Sequence, residues 1–139
     1  MKNKPTLAAV MTTNPETVHL AQPLSEVYVL LQNRSFHHVP VVEGGKPIGL
    51  IAASDILRLV YDADGNDEDM LRTFLDHQFN IQDAMSTDVI TVRVSEPLRS
   101  AVQLMTDGTV HSVVVVDDDD TLVGIVTTTD LMRVLHDLL

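Results

Sequence analysis

Cysteine is absent from the 139 residues. That excludes disulfide staples, thiolate zinc sites and a cysteine nucleophile, and it fits a reducing compartment. Basic residues are scarce: 9 Lys and Arg stand against 20 Asp and Glu, a formal charge of −11. A chain so poor in cations has little with which to release counterions from a phosphate backbone or to hold anionic lipid. Neither nucleic acid nor a membrane is therefore expected as a partner. No apolar run approaches the roughly 20 residues of a membrane span. Pro5 and the brevity of Leu7 to Met11 argue against a secretory leader, so a cytoplasmic protein is expected. HExxH, Walker and Gly-x-Ser-x-Gly motifs are also missing, so no catalytic residue, metal site or catalytic cofactor is expected and the chain does not read as an enzyme.

What is present is a composition able to bury a core, 45% hydrophobic and 21% charged, and an internal duplication. Val10-Met11-Thr12-Thr13 and Thr17-Val18 return as Ala84-Met85-Ser86-Thr87 and Thr91-Val92, an offset of 74 positions from Met11 to Met85. Pro23-Leu24 returns as Pro97-Leu98, and His37 to Val42 as His111 to Val116, at the same offset. One residue inserted in the next turn moves the offset to 75, at which Gly49 to Arg58 match Gly124 to Arg133. Solenoids use shorter periods and more copies. Halves of roughly 60 residues are marginal as independent folds, so the two are expected to share one compact module.

Each half reads strand, helix, strand, strand, helix, a mixed α/β (α+β) class. Pro23 suits the first turn of a helix. Leu24, Val27, Leu30 and Leu31 fall on one helical face, as do Leu98, Ala101, Val102 and Met105, and Gly108 ends the second helix. The β-branched runs Val39 to Val42 and Val113 to Val116 predict strands buried on both faces. Turns follow at Gly44-Gly45 and Asp118 to Asp120. Further strands are expected at Pro47 to Ala52 and Leu122 to Thr127, leading into helices with Ser54 and Thr129 as N-caps. The organisation is thus a first repeat over 1–62, an acidic loop and connecting helix over 63–80, and a second repeat over 81–139. Asp62, Asp64 and Asn66 alternate as in a calcium loop, but Gly65 sits at the fourth position instead of the sixth, so the stretch reads as a solvated linker.

The opening Met11 and Met85, the His-x-Val-Pro-Val-Val segment at His37 to Val42, and the Gly-h-h-x-x-x-Asp segments ending at Asp55 and Asp130 make the chain similar to a tandem pair of CBS domains, the Bateman module. The resemblance runs from about Leu7 to the C-terminus. It implies a regulatory sensor whose clefts between the repeats accept adenosine derivatives such as AMP, ADP or ATP, or S-adenosylmethionine or NAD. The implied ribose and phosphate residues are Thr127, Asp130 and Thr129 in the second copy and Asp55 and Ser54 in the first. A carboxylate can accept from both hydroxyls of a diol, and a hydroxyl beside a helix start suits an anion. Ala52 stands where the first copy's hydroxyl belongs, so the site around Asp130 is expected to be the better phosphate binder and that around Asp55 to be weakened, empty or limited to nucleosides. Val39, Pro40, Val41, Val113 and Val114 are the candidates to line the base, and Thr13, Asn14, Thr87 and Asp88 the cleft, although Asp88 would repel a phosphate.

Arg58 and Arg133, one turn beyond each Asp, read as solvent-facing. The resemblance also implies a homodimer, with Leu131, Leu135, Leu138 and Leu139 as apolar surface, and an effector protein to receive the signal. Two other readings stand beside it. One is a ligand-free dimerisation or interaction module with vestigial clefts; the other is a metal or pH sensor built on His37, His38 and His111.

Overall fold

The computed structural model describes residues 4–33, 37–61 and 67–139. In chain order the elements are α1 (Leu7–Val10), β1 (Thr12–Thr13), α2 (Leu24–Gln32), β2 (His38–Glu43), β3 (Lys46–Ala52), α3 (Ala53–Val60), α4 (Glu68–Gln78), α5 (Ile81–Ala84), β4 (Thr91–Arg93), α6 (Leu98–Met105), β5 (Ser112–Val116), β6 (Leu122–Thr127) and α7 (Thr128–Leu138). Of the acidic stretch Asp62 to Asp69 read as a linker, 62–66 lie outside the described residues, while Asp67 caps and Glu68 and Asp69 open the connecting helix α4, which was expected to follow the stretch. No helix among the described residues is long and apolar enough to cross a membrane.

The chain forms two compact units that cut across the order of the repeats. One comprises Glu16–Gly44 and Ile48–Asp88; the other comprises the segment ending at Pro15, Gly45–Pro47 and Val89–Leu139. β2 and β3 pair and are joined by Gly44 and Gly45, whose φ values of 59° and 81° are those a two-residue hairpin turn requires; most of both strands lies in the first unit. The expected opening strand of this copy contracts to a single parallel bridge between Val18 and Val41. Leu24, Val27, Val39, Val41, Ile51 and Leu75 are fully buried in its core. Leu30 and Leu31 pack on that core as partly buried residues, as the helical spacing predicts.

In the other unit the strand order is β1-β6-β5-β4. β4 runs parallel to β5, and the other two pairs are antiparallel. Every residue of β5 is buried. Leu7, Ala101, Val113, Val115 and Val126 are fully buried in the core. Val102, expected on the buried face of α6, is 40% exposed; the buried face is Ala101 and Met105. Gly108, with φ 81°, lies three residues beyond the end of that helix at Met105. In the same turn the Thr109 amide and hydroxyl donate to Asp107 and hold its carboxyl below the ordinary range.

Two helix starts differ from the sequence reading. The N-caps are Ala52 and Thr127, two positions before the expected Ser54 and Thr129, which lie exposed in the first turns of α3 and α7. The cause is the acid at the third helical position: Asp55 and Asp130 reach back to the amides of Ala52 and Thr127, and that reach fixes the cap three residues earlier. Pro23 and Pro97 likewise occupy the N-cap, one residue before the first turn.

The repeats exchange their leading segments. α1 and β1 precede the first repeat's strands in sequence, yet β1 pairs with β6, and Leu7 is buried beside Val113 and Val126. α5 and Ser86 belong to the first copy's unit, where Ser86 bridges Leu50. A glycine permits each close approach: a Cβ on Gly124 would collide with the Met11 side chain and reach 3.0 Å from the Thr12 carbonyl, and one on Gly49 would collide with Met85. Gly124→Ala should therefore lower stability by about 1–3 kcal/mol, read as an earlier urea midpoint. An unchanged midpoint would mean that Met11 yields its place without cost.

Candidate functional site

Thr127 ends β6 in an extended conformation, φ −111° and ψ 166°, and Asp130 lies three residues on, in the first turn of α7. The two are bonded reciprocally. The Thr127 amide donates to Asp130 Oδ2 at 2.9 Å, the Thr127 hydroxyl lies 3.1 Å from the same oxygen, and the Asp130 amide lies 3.2 Å from Thr127 Oγ1. Asp130 is one of the buried polar residues, its side chain only 7% exposed. Its other oxygen, Oδ1, meets Arg133 Nη1 at 3.3 Å, and the Arg133 side chain is 73% exposed. The carboxylate therefore has one oxygen committed to the helix start and one held by a long contact to a mobile type of side chain. Oδ1 is the acceptor that a ligand hydroxyl can take at least cost.

Beside this carboxylate runs a groove of about 400 Å³ within the same unit. Pro5, Ala9 and Val10 supply an apolar wall, while Asp130, Arg133 and Asp137 supply two negative charges and one positive. That size and mixture suit a small organic ligand with an apolar body and a few polar groups. The wall was not legible as a site residue set, because it comes from α1 and Pro5 before it, at the far end of the sequence.

The first copy repeats the plan with less. The Ala52 amide donates to Asp55 Oδ2 at 2.7 Å, and Arg58 Nη2 lies 3.5 Å from Oδ1, but Ala52 has no hydroxyl to close the box. Asp55 is more open, its side chain 19% exposed. Arg58 and Arg133 are solvent-facing as expected, yet each also pairs with its Asp.

The remaining candidates divide between the units. Thr13 pairs with Gly124, and the Asn14 amide, at a positive φ of 49°, donates to the Val123 carbonyl at 3.2 Å, so both belong with Asp130. Thr87 and Asp88 belong with Asp55 and are exposed. Val39, Val41, Val113 and Val114 are buried within their sheets, as is Pro40. His37 and His38 lie in one unit and His111 in the other. Among the described residues no three His, Asp or Glu side chains are grouped to hold a metal ion.

The sequence model described as CBS domain matches residues 7–62 and 81–137. Among curated proteins, an uncharacterized protein of Methanocaldococcus jannaschii is 28% identical over 126 residues, covering 91% of this chain and 36% of the relative. The L-aspartate semialdehyde sulfurtransferase of the same organism is 29% identical over 135 residues, covering 96% of this chain and 24% of that protein. The chain thus spans only about a quarter to a third of these relatives. Among solved structures, the CBS domain pair of protein MJ0100 in complex with 5′-methylthioadenosine and S-adenosyl-L-methionine superposes with a TM-score of 0.79 at 25% identity, covering 99% of this chain and 100% of the other. CBSX2 in complex with AMP superposes at 0.76 and 23% identity, covering 95% and 97%.

The difference between the two helix starts is open to a stability test. Thr127→Ala should cost about 1 kcal/mol, the usual loss for removing an N-cap hydroxyl, and Ala52→Thr should gain a similar amount by completing the first copy's box. Both are read from denaturant midpoints. Equal and negligible effects would show that the carboxylate alone carries the cap.

Proposed function

Because the chain belongs to the CBS domain family, matched over both repeats, we propose that it is a regulatory, non-catalytic module that binds an adenosyl ligand and passes its occupancy to a partner protein. The observation that carries this reading is the buried Asp130 carboxylate, with Oδ1 held, among the described residues, by an exposed arginine and with a groove beside it. The ribose diol donates to Oδ1, displacing or sharing the Arg133 contact. The apolar wall at Pro5, Ala9 and Val10 takes the flat face of the base. Thr127 and Thr129 flank the carboxylate, and Thr13 and Asn14 belong to the same unit.

Charge narrows the ligand class. Two carboxylates and one guanidinium line the groove, and the chain carries −11 overall. An adenosyl ligand that is neutral or cationic at its 5′ end is therefore favoured over ADP, ATP or NAD, with AMP, whose single phosphate Arg133 can meet, between them. The CBS pair of MJ0100 supports the choice, since its complex holds 5′-methylthioadenosine and S-adenosyl-L-methionine. The first copy, with Asp55, Ser54, Thr87 and Asp88, is the weaker site because it lacks the Thr127 counterpart.

A second reading is favoured by a separate observation. Of the expected apolar surface, Leu135, Leu138 and Leu139 are 46%, 54% and 97% exposed, with Met132 at 62% beside them, whereas Leu131 packs against the core. A homodimer or an effector protein seated on that face would serve a ligand-free interaction module as well as a sensor.

Thermal unfolding and calorimetric titration with 5′-methylthioadenosine, S-adenosylmethionine, AMP and ATP decide between these readings. A ligand at about 100 times its Kd adds roughly 2.7 kcal/mol of stability, a visible rise in Tm. Asp130→Asn should weaken binding by about 10- to 100-fold, the cost of losing a charged acceptor, while Asp55→Asn should leave the tightest binding unchanged. Absence of binding by every compound to folded, ligand-free protein would favour the interaction module.

A further inference from the structure

The other unit carries a second groove, of about 430 Å³, between α2, the segment before it, and α4. Its lining includes Glu16, Thr17, Glu26, Val29, Leu30 and Arg72. Arg72 sits on α4 with two carboxylates at the helical positions that ordinarily pair with an arginine, Glu68 four residues before it and Asp76 four residues after. Both are engaged elsewhere. Asp76 accepts from the Ser25 amide at 2.8 Å and from the Ser25 hydroxyl at 2.7 Å, capping the start of α2. Glu68 accepts from Gln32 Nε2.

The guanidinium is consequently left over. Among the described residues Arg72 forms no ion pair and its buried Nε has no hydrogen-bond partner. A buried donor without an acceptor calls for an explanation, and an arginine edge is shaped to receive an oxyanion through two parallel N–H groups. A bare polyanion is not what the surroundings favour, however. Glu16 and Glu26 are exposed on the same lining; Glu26 has one oxygen, Oε2, taken by Gln22 at 2.6 Å, while Glu16 shows no side-chain bond among the described residues. One positive and two negative side chains around a small volume match a ligand that carries both signs.

We infer that this groove is a binding site for a small zwitterion with the chemistry of a free amino acid. Its carboxylate sits on the Arg72 guanidinium, its ammonium faces Glu26 and Glu16, and an aliphatic side chain lies against Val29 and Leu30. The site is separate from the Asp130 groove, lies in the other unit, and stands or falls independently of the adenosyl reading.

The test uses L-leucine as probe on the full chain, with isovalerate and isoamylamine as its anion-only and cation-only halves and inorganic phosphate as a bare anion. Calorimetry and the ¹H–¹⁵N signal of the Arg72 Nε–H are the readouts. L-leucine should bind and move that signal, each half-molecule should bind about tenfold or more weakly, and Arg72→Gln and Glu26→Gln should each weaken L-leucine by about tenfold. Asp130→Asn should leave L-leucine binding unchanged. Arg72→Lys, which keeps the charge and is less prone to disturb α4, should recover part of the affinity but not the full fork contact. Phosphate binding tighter than L-leucine would replace the zwitterion with a simple anion. No movement of the Arg72 signal with any probe, or unaltered L-leucine binding in folded Arg72→Gln, would overturn the site.

Discussion

The close approach of a methionine to a glycine backbone is the constraint on which the two units depend. Met11 rests where a Gly124 side chain would be, and Met85 where a Gly49 side chain would be. Those contacts seat the segments that supply Leu7 and the edge strand β1 to one unit, and Ile81, Ala84 and Ser86 to the other. Each unit is thus completed by a piece of chain that precedes the other repeat. A half of about 60 residues has little core to spare, and separation at the sequence boundary would remove a fully buried leucine or isoleucine from each.

The same placement shapes the candidate site. β6 must run extended up to Thr127 because it is paired on both edges, by β1 and β5, and the chain then turns directly into α7. The first amides of that helix need acceptors. Thr127 and Asp130 supply them to each other, which is why a carboxylate can stay buried there without a full counter-ion. One carboxylate divides its oxygens: Oδ2 stabilises the helix start, and Oδ1 meets the exposed Arg133 side chain. The first copy, with alanine at the cap, retains the amide contact and leaves its carboxylate more open to water.

Much of this was legible because it is local. The β-branched strands, the paired turns and the helical spacing of Leu24 and Val27 depend on residues near one another in sequence, and the duplication prints those local patterns twice. The caps were also within reach. An acid three residues beyond Thr127 is the cap signal, yet Thr129 adjoins that acid and draws the eye first. What was not legible arises from competition across distance. Nothing in Leu7 to Val10 shows that it packs with residues 89–139, and Val102 fits the apolar stripe although the sheet beneath α6 leaves it uncovered. At Arg72 the fold brings Ser25 and Gln32 to Asp76 and Glu68, the two carboxylates that helical spacing sets beside it.

The crossed leading segments also determine how the molecule carries load. A domain joined ahead of Lys4 would pull first on α1 and β1, and β1 is fastened to β6, the strand that runs directly into Asp130. Tension or torque arriving at the front of the chain would therefore be delivered to the helix start of the second copy, bypassing the repeat that comes next in sequence. Two residue pairs in register join β1 to β6, and Leu7 of α1 is buried in the same core, so the leading segment is anchored to this unit at both of its elements.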